Sequence, residues 1–333
     1  MPKVTVIIPN YNHVRYLPKR IESVLHQTEQ DIEVLLLDDC SPDNSREVIT
    51  QYAAQDDRIK LVFNEENSGS TFHQWNKGIA LAQGEYIWIA ESDDYADPVL
   101  LETLLRPMEK DSTIGLAYCE SQMIDENNNA LGIHYIMPKE LDGALLKQDF
   151  IIDGIELVKQ FMSFCNIVPN ASGVLIRRSV LDQVGPADAS YRLVGDWLFW
   201  AKIMATSKVA FVTTPLNYFR QHTNNVRSST LRNGLALVEE ARVMKVIKAF
   251  GEPNAINYEM KIENILGKWF YAFISNHAMP FSLHRELYQK LCDLEPSFPR
   301  RFAKYFFSTL IENKFSGLRQ LVGDGILKRI LSK

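Results

Sequence analysis

The stretch GEYIWIAESDDYADP (84–98) changes character abruptly: an apolar run of strand length ends in Glu91, Asp93, Asp94 and Asp97. Continuous rather than alternating apolarity marks a strand covered on both faces, the pattern of a parallel sheet interior. Carboxylates crowded at the end of such a strand repel one another at neutral pH unless water or a cation intervenes. Two uses fit. One is a solvated turn that stops the strand, with Asp97 and Pro98 starting the next helix. The other is a site for a hard divalent cation.

Outward from this stretch the same pattern recurs. KVTVIIP (3–9), IEVLLLD (32–38) and IKLVF (59–63) are apolar runs, followed by helical patterns over 17–27, from about 43 to 55, and over 70–83. Strands alternating with helices predict an α/β fold built on a mostly parallel sheet. After IGLAYCES (114–121) the alternation loosens, and IDENNNALG (124–132) reads as a hairpin turn. A helix is expected near 154–164, a short strand and helix over 173–185, a helix over 195–205 with Asp196 near its start, and strand again over 209–222. From 228 onward only helical periodicity is visible.

The 333 residues carry a formal charge of −5, which gives no basic footprint for nucleic acid. The charge is uneven, with 16 Lys/Arg against 10 Asp/Glu over 231–333 and 20 against 31 before it. Cys40, Cys119, Cys165 and Cys292 lack metal-ligand spacing. With a strand starting at once and no signal peptide at Met1, they read as reduced thiols of a cytoplasmic protein. No apolar run approaches the roughly 18 residues of a membrane span.

In open parallel sheets ligands collect at the C-terminal strand ends. Three such ends are unusually polar here: PNYNH (9–13), DDCSPDNS (38–45) and ESDDYAD (91–97). NSGST (67–71) lacks both the GxGxxG spacing and the P-loop lysine, so phosphate needs another counter-charge. Carboxylates holding Mg²⁺ or Mn²⁺ would supply one.

VTVIIPNYNH, LLLDDCSPDNS, NSGSTFHQWNKGIALAQGEYIWIAESDD and VGDWLFWAKI resemble, in order and spacing, the motifs of glycosyltransferase family 2, over about residues 3–225. The resemblance implies a GT-A fold: a Rossmann-like, mostly parallel central sheet flanked by helices, here with a helical C-terminal extension. It implies a catalytic domain over 1–227, divided into a nucleotide-sugar-binding half (1–120) and an acceptor-binding half (121–227), then a helical region over 228–333. The implied activity is inverting transfer from a nucleoside diphosphate sugar to a glycan or lipid-linked acceptor, with Mn²⁺ or Mg²⁺, in cell-envelope polysaccharide synthesis.

By position, the resemblance assigns Pro9, Tyr11 and Asn12 to the first nucleotide-binding loop and Asp39 to the base. A carboxylate accepts from an N3–H, which favours uracil or thymine over adenine. Asp38 reads either as a further contact or as a cap of its turn. Gly69 is a backbone-approach position, although Gln74-Trp75-Asn76 departs from the commoner Arg-containing form. Asp93 and Asp94 share metal and ribose duties, with Glu91 in place of the usual first Asp and Asp97 read as a cap. The resemblance makes Asp196 the general base, with an N-cap of its helix the other reading, and His222 in YFRQH a metal or diphosphate contact, with a surface or sheet-edge histidine the other reading. Lys77 reads as a solvated helix residue; Trp88, Trp197, Phe199 and Trp200 as core or sugar-stacking. His13, His26, His73, His134, His277 and His284 show no paired ligand spacing and read as ordinary.

Other classes remain open from sequence: a receiver-like Mg²⁺-binding signalling domain, or an inactive sugar-nucleotide binder acting in assembly. The tail RRFAKYFFSTLIENKFSGLRQLVGDGILKRILSK (300–333) sets Phe302, Tyr305, Phe306, Thr309 and Leu310 near one helical face, and Leu318, Leu321, Val322, Ile326 and Ile330 near another. It is either packed helices or a peripheral anchor on the inner face of the membrane. Self-association is left open.

Overall fold

The computed structural model describes residues 1–133, 144–222, 234–274 and 279–312. The chain divides into two compact units, Met1–Thr223 and Asn224–Lys333.

The first unit opens with β1 (Val4–Asn10), α1 (Leu17–Leu25), β2 (Ile32–Asp38), α2 (Ser45–Ala53), β3 (Ile59–Phe63), α3 (Thr71–Leu81) and β4 (Tyr86–Ile89). These strands lie in the order β3-β2-β1-β4, all parallel. Successive side chains of β1 point to opposite faces. Val4, Val6 and Ile8 join one core cluster with Leu17, Ile21 and Val24 of α1, and Ile7 faces α3. There Gly78 permits contact so close that a Cβ would stand 2.4 Å from Ile7 Cγ2. Ile8 and Leu36 have no exposed surface, so truncating either to Ala should cost about 2–5 kcal/mol.

Beyond β4 the sheet becomes mixed. β5 (Tyr95–Ala96), α4 (Leu100–Lys110), β6 (Ile114–Ile124), β7 (Ala130–Ile133), β8 (Phe150–Asp153), α5 (Gly154–Leu157), β9 (Val174–Arg177), α6 (Arg178–Val184), α7 (Gly195–Met204) and β10 (Lys208–Arg220) complete the unit. The order continues β4-β9-β6-β10-β5, with β9 antiparallel to both neighbours and β6 parallel to β10. The expected turn after β6 is present: Asp125 accepts from the N–H groups of Asn127 and Asn129, and Asn128 stands at φ 69°. The helix expected over 154–164 is α5 continued by a π-turn over Val158–Met162.

β3 departs from the expectation that apolar continuity means two covered faces. It is the last strand on its side, and Leu61 and Phe63 are exposed at 37% and 39%. Arg46 covers part of the Phe63 ring, its guanidinium carbon 5.2 Å from the centroid.

The second unit contains helices Leu235–Ala249, Ala255–Ile274, Phe281–Leu294 and Phe298–Glu312. Helical spacing brings Leu237, Ala241 and Met244 together with Ile262, Ile265, Leu266 and Trp269, and with Leu287, Leu291 and Leu294. Phe302 and Tyr305 pack against this core, and Phe306 meets Phe270 at 6.0 Å. The basic tail positions from 313 onward, with Leu318, Leu321, Val322, Ile326 and Ile330, lie outside the described residues. No described helix is long and apolar enough to cross a membrane.

Candidate active site

The order β3-β2-β1-β4 changes direction at β1, because the chain leaves β3 at one edge and returns beside β1 on its other side. The crevice at the C-terminal ends of β1 and β4 is therefore where loops diverge and a ligand can enter. Pro9, the last residue but one of β1, is buried, while Tyr11 beyond the strand is 46% exposed. Asn12 and Cys40 both stand at φ 59°, a left-handed conformation uncommon for residues with a Cβ. Ser41 ties the two loops together, its Oγ accepting from Asn10 Nδ2 and from the Asn12 N–H at 3.1 and 3.0 Å.

Asp38 and Asp39, at the end of β2, are buried. Asp38 accepts from Asn10 Nδ2, the Ser41 N–H and Arg46 Nε at 2.9, 3.1 and 2.9 Å. Burial opposes its charge, but these bonds outweigh burial and hold the carboxyl below its ordinary value. Asp39 is more heavily supplied. Oδ1 accepts from Asn64 Nδ2, the Ser68 N–H and Gln74 Nε2 at 2.6, 2.9 and 2.8 Å; Oδ2 accepts from Ser68 Oγ and Asn67 Nδ2 at 2.8 and 3.2 Å. A base N–H meeting Asp39 would have to displace one of these donors. Gly69, at φ 70°, follows Ser68 in the left-handed region that glycine enters most readily.

At the end of β4 the acids are treated differently from one another. Asp94 is 1% exposed and fully engaged: Ser172 Oγ and Asn170 Nδ2 donate to Oδ2 at 2.7 and 2.9 Å, and the Arg220 N–H donates to Oδ1 at 2.8 Å. Burial and the neighbouring Asp93 charge raise its pKa. Burial, then the charge of Asp93, push Glu91 up to about 8, even though Trp75 Nε1 donates to its Oε1 at 2.7 Å. Asp93 alone faces imidazole, with His222 Nε2 at 2.9 Å from its Oδ2. Burial works against the Asp93 charge, but that bond and the nearby His13 and His222 hold the carboxyl low. The same bond raises His222. Asp97 caps the turn before α4, accepting from the Val99 N–H at 3.1 Å.

His13, Asp93 and His222 each offer a ligand atom within 4.8 Å of the others. This donor set suits a divalent ion. Asp94, expected to be a ligand beside Asp93, is not in the group, because its oxygens hold the loop before β9 and the end of β10. His13, expected to be ordinary, is in it. Only the fold brings residues 13, 93 and 222 together, so no local spacing signals the set.

Asp196 is the second residue of α7, whose N-cap position is Val194. Its Oδ2 accepts from Asn166 Nδ2 at 3.1 Å. Gly195 lets the helix start abut α3, since a Cβ there would lie 2.6 Å from the Phe72 ring. Trp75 spans the gap between the two functional ends: it bonds Glu91 and lies 5.8 Å from the Trp200 ring of α7. Trp88, Trp197, Phe199 and Trp200 are all buried, so their use is packing.

Several residues that hold the site were not singled out by sequence. Arg20 is wholly buried and gives Nε to the Glu91 carbonyl at 2.8 Å, and its two Nη atoms have no hydrogen bond among the described residues. Burial lowers its pKa to about 10, against the pull of Asp94, Asp93 and Glu91. Arg220 donates to the carbonyls of Asp93 and Asp125, both at 2.7 Å, and so clamps the acidic loop to the β6–β7 turn. Lys77, expected to be solvated, is half-buried and donates to Asn64 Oδ1. Gln74 does for Asp39 what an arginine in that position could not do without adding charge.

The glycosyl transferase family 2 model matches residues 5–183, more than half of the chain. The chain belongs to glycosyltransferase family 2. An uncharacterized glycosyltransferase of Nostoc sp. is 33% identical over 231 residues, 67% of this chain and 66% of its own length. The glycosyltransferase GlyG of Streptococcus pneumoniae is 41% identical over 112 residues, 33% of this chain and 37% of its own. The putative teichuronic acid biosynthesis glycosyltransferase TuaG of Bacillus subtilis is 42% identical over 93 residues, 28% and 36%. The matched stretches thus span less than two thirds of these relatives. In fold, the family 2 chain resembles S. aureus TarS in complex with UDP-GlcNAc, with TM-score 0.66 at 18% identity over 96% of this chain and 88% of that one. The mannosyltransferase PcManGT of Pyrobaculum calidifontis, in complex with GDP-Man and Mn²⁺, gives 0.55 at 17% identity over 96% and 82%. The architecture is GT-A, and a receiver domain is excluded.

Proposed function

We propose that this family 2 enzyme transfers a sugar, with inversion, from a UDP-sugar to a hydroxyl of a glycan or lipid-linked acceptor in cell-envelope polysaccharide synthesis. The observation that carries the reading is the convergence of the β1, β2 and β4 ends on one crevice, with the α7 start joined to it through Trp75 and Gly195. Residues 1–120 then supply the nucleotide-sugar half and 121–227 the acceptor half.

Pro9, Tyr11, Asn12, Asp39 and Gly69 line the nucleoside side. Asp93 and His222 would hold a divalent cation, which when bound neutralises the diphosphate. Asp196 takes the acceptor hydroxyl proton as that oxygen attacks the anomeric carbon opposite the departing nucleoside diphosphate. Asn166 helps to orient the carboxylate by its bond to Oδ2. The TarS complexes with UDP-GlcNAc and UDP support a uridine donor. PcManGT, bound to GDP-Man and Mn²⁺, supports the metal and makes guanosine the alternative to test. The envelope role is supported by the names of TuaG and of the E. coli chondroitin synthase, 30% identical over 154 residues.

Calorimetric titration of UDP and GDP, each with Mn²⁺ and with excess EDTA, tests the donor and metal together. UDP should bind more tightly than GDP and lose most of its affinity in EDTA. Equal UDP affinity in EDTA would remove the metal from the reading, and a preference for GDP would replace the base.

A further inference from the structure

Of the three residues that could hold the metal, His13 has no counterpart in the expected site, and the structure gives it a built position. Its carbonyl accepts from the N–H groups of Tyr16 and Leu17 at 2.9 and 3.1 Å, and the Val14 N–H next to it donates to Asp43 Oδ2 at 2.9 Å. The peptide that follows His13 is thus fixed through both its carbonyl and its N–H. Its ring centroid lies 6.0 Å from that of His222, with the planes within 16°. Its Nδ1 is 2.8 Å from Ser92 Oγ, and Ser92 is 1% exposed.

We propose that His13 is a third protein ligand of the metal, that Ser92 sets its tautomer, and that the resulting two-imidazole, one-carboxylate set selects Mn²⁺ or Co²⁺ over Mg²⁺ and Ca²⁺. The proposal rests on the metal reading above and adds to it a ligand and a selectivity. Ligating imidazoles commonly give their second ring N–H to a neighbour, which fixes the ring and directs the free lone pair at the ion. With Nδ1–H donated to the Ser92 hydroxyl, Nε2 of His13 carries that lone pair. Mg²⁺ and Ca²⁺ prefer oxygen ligands, and Mg²⁺ parts with its water reluctantly. Imidazole nitrogen is a better ligand for first-row transition ions, with affinity rising from Mn²⁺ to Co²⁺. A site with Asp93 and Asp94 as ligands would lack this bias, but Asp94 is committed to Ser172, Asn170 and Arg220.

The alternative is that His13 only packs, since its ring also meets Tyr16 edge-on at 6.1 Å. Binding of the metal alone, and of the metal with saturating UDP, separates the two on the full chain. Electron spin-echo modulation of bound Mn²⁺ counts coordinated ¹⁴N directly. Two imidazole nitrogens are expected in the unmodified protein, one in His13→Ala and one in His222→Ala. Mn²⁺ affinity should fall about tenfold or more in His13→Ala and in Ser92→Ala, in line with the loss of a ligand or its outer partner. Mg²⁺ affinity should change by less than about threefold, because that ion gains little from imidazole. His13→Asn, closer in size, repeats the measurement if the Ala form folds poorly, and the nitrogen count of the unmodified protein needs no variant. A single nitrogen, lost only in His222→Ala, overturns the role of His13 and leaves the metal reading standing. No Mn²⁺ bound with or without UDP overturns both.

Discussion

Two pairs of adjacent aspartates sit at the ends of β2 and β4, the strands that flank β1, and the protein handles their charge in opposite ways. Asp38 and Asp39 are surrounded by donors, so that every carboxylate oxygen has a protein partner. At the end of β4 the same treatment is given to Asp94 but not to Asp93, whose side chain bonds His222 and lies near His13. Buried charge needs hydrogen bonds or a counter-ion. Where the fold supplies the bonds the acid is part of the frame, and where it withholds them the acid is available to a ligand.

The largest expected effect lies outside both pairs and tests whether they are purely for binding. Asp196→Asn should lower turnover by about 10²–10⁴-fold, the usual worth of a general base, with UDP affinity little changed in a calorimetric titration. A large loss of UDP affinity instead would move Asp196 into the donor site. Within the β4 pair the contrast should show in stability. Asp94→Ala leaves Ser172, Asn170 and the Arg220 N–H without their acceptor, at a cost of about 3 kcal/mol. Asp93→Ala gives up one bond to His222, about 1 kcal/mol. Denaturant unfolding of both variants without metal would erase the distinction if the costs were equal.

Smaller still is the effect of pH. Asp38 has a folded pKa below its ordinary 3.8, so the unfolded chain binds its proton first as pH falls. Its contribution is present above 3.8 and lost through the folded value below it. Asp38→Asn should therefore flatten the acid limb of the stability profile. Glu120 has the opposite sign. Burial raises it from 4.5 to about 7, and Oε2 has no hydrogen bond. Stability from its protonated form is present below 4.5 and declines as pH rises toward 7. Glu120→Gln should remove that slope, measured by thermal unfolding across the window.

The strands and helices of the first 120 residues were legible because each apolar run and each amphipathic pattern is local. Order along the chain and a run of motifs were enough to bring Asp39, Asp93, Asp196 and His222 forward as candidates. What could not be read depends on distance in sequence. The exposure of β3 follows from its edge position, not from IKLVF itself. Lys77 reads as solvated until Asn64 is brought beside it. Arg20 reads as an ordinary helix residue until β4 carries Glu91 over it. His13 has no ligand spacing with Asp93 or His222, since the pairings come from β1, β4 and β10 meeting at one end of the sheet.

The hydrogen bond from Arg220 to Asp94 joins residues 126 apart. On a ribosome adding about 5–20 residues per second, that bond must wait roughly 6–25 s after Asp94 is made. During this interval the nascent chain can pair β1, β2, β3 and β4, all of which precede Asp94. The acidic loop, however, has neither Ser172 nor Arg220 to hold it. Binding competence should therefore lag behind formation of the first sheet half in synthesis, and a chain arrested before β10 should carry folded strands without a finished site.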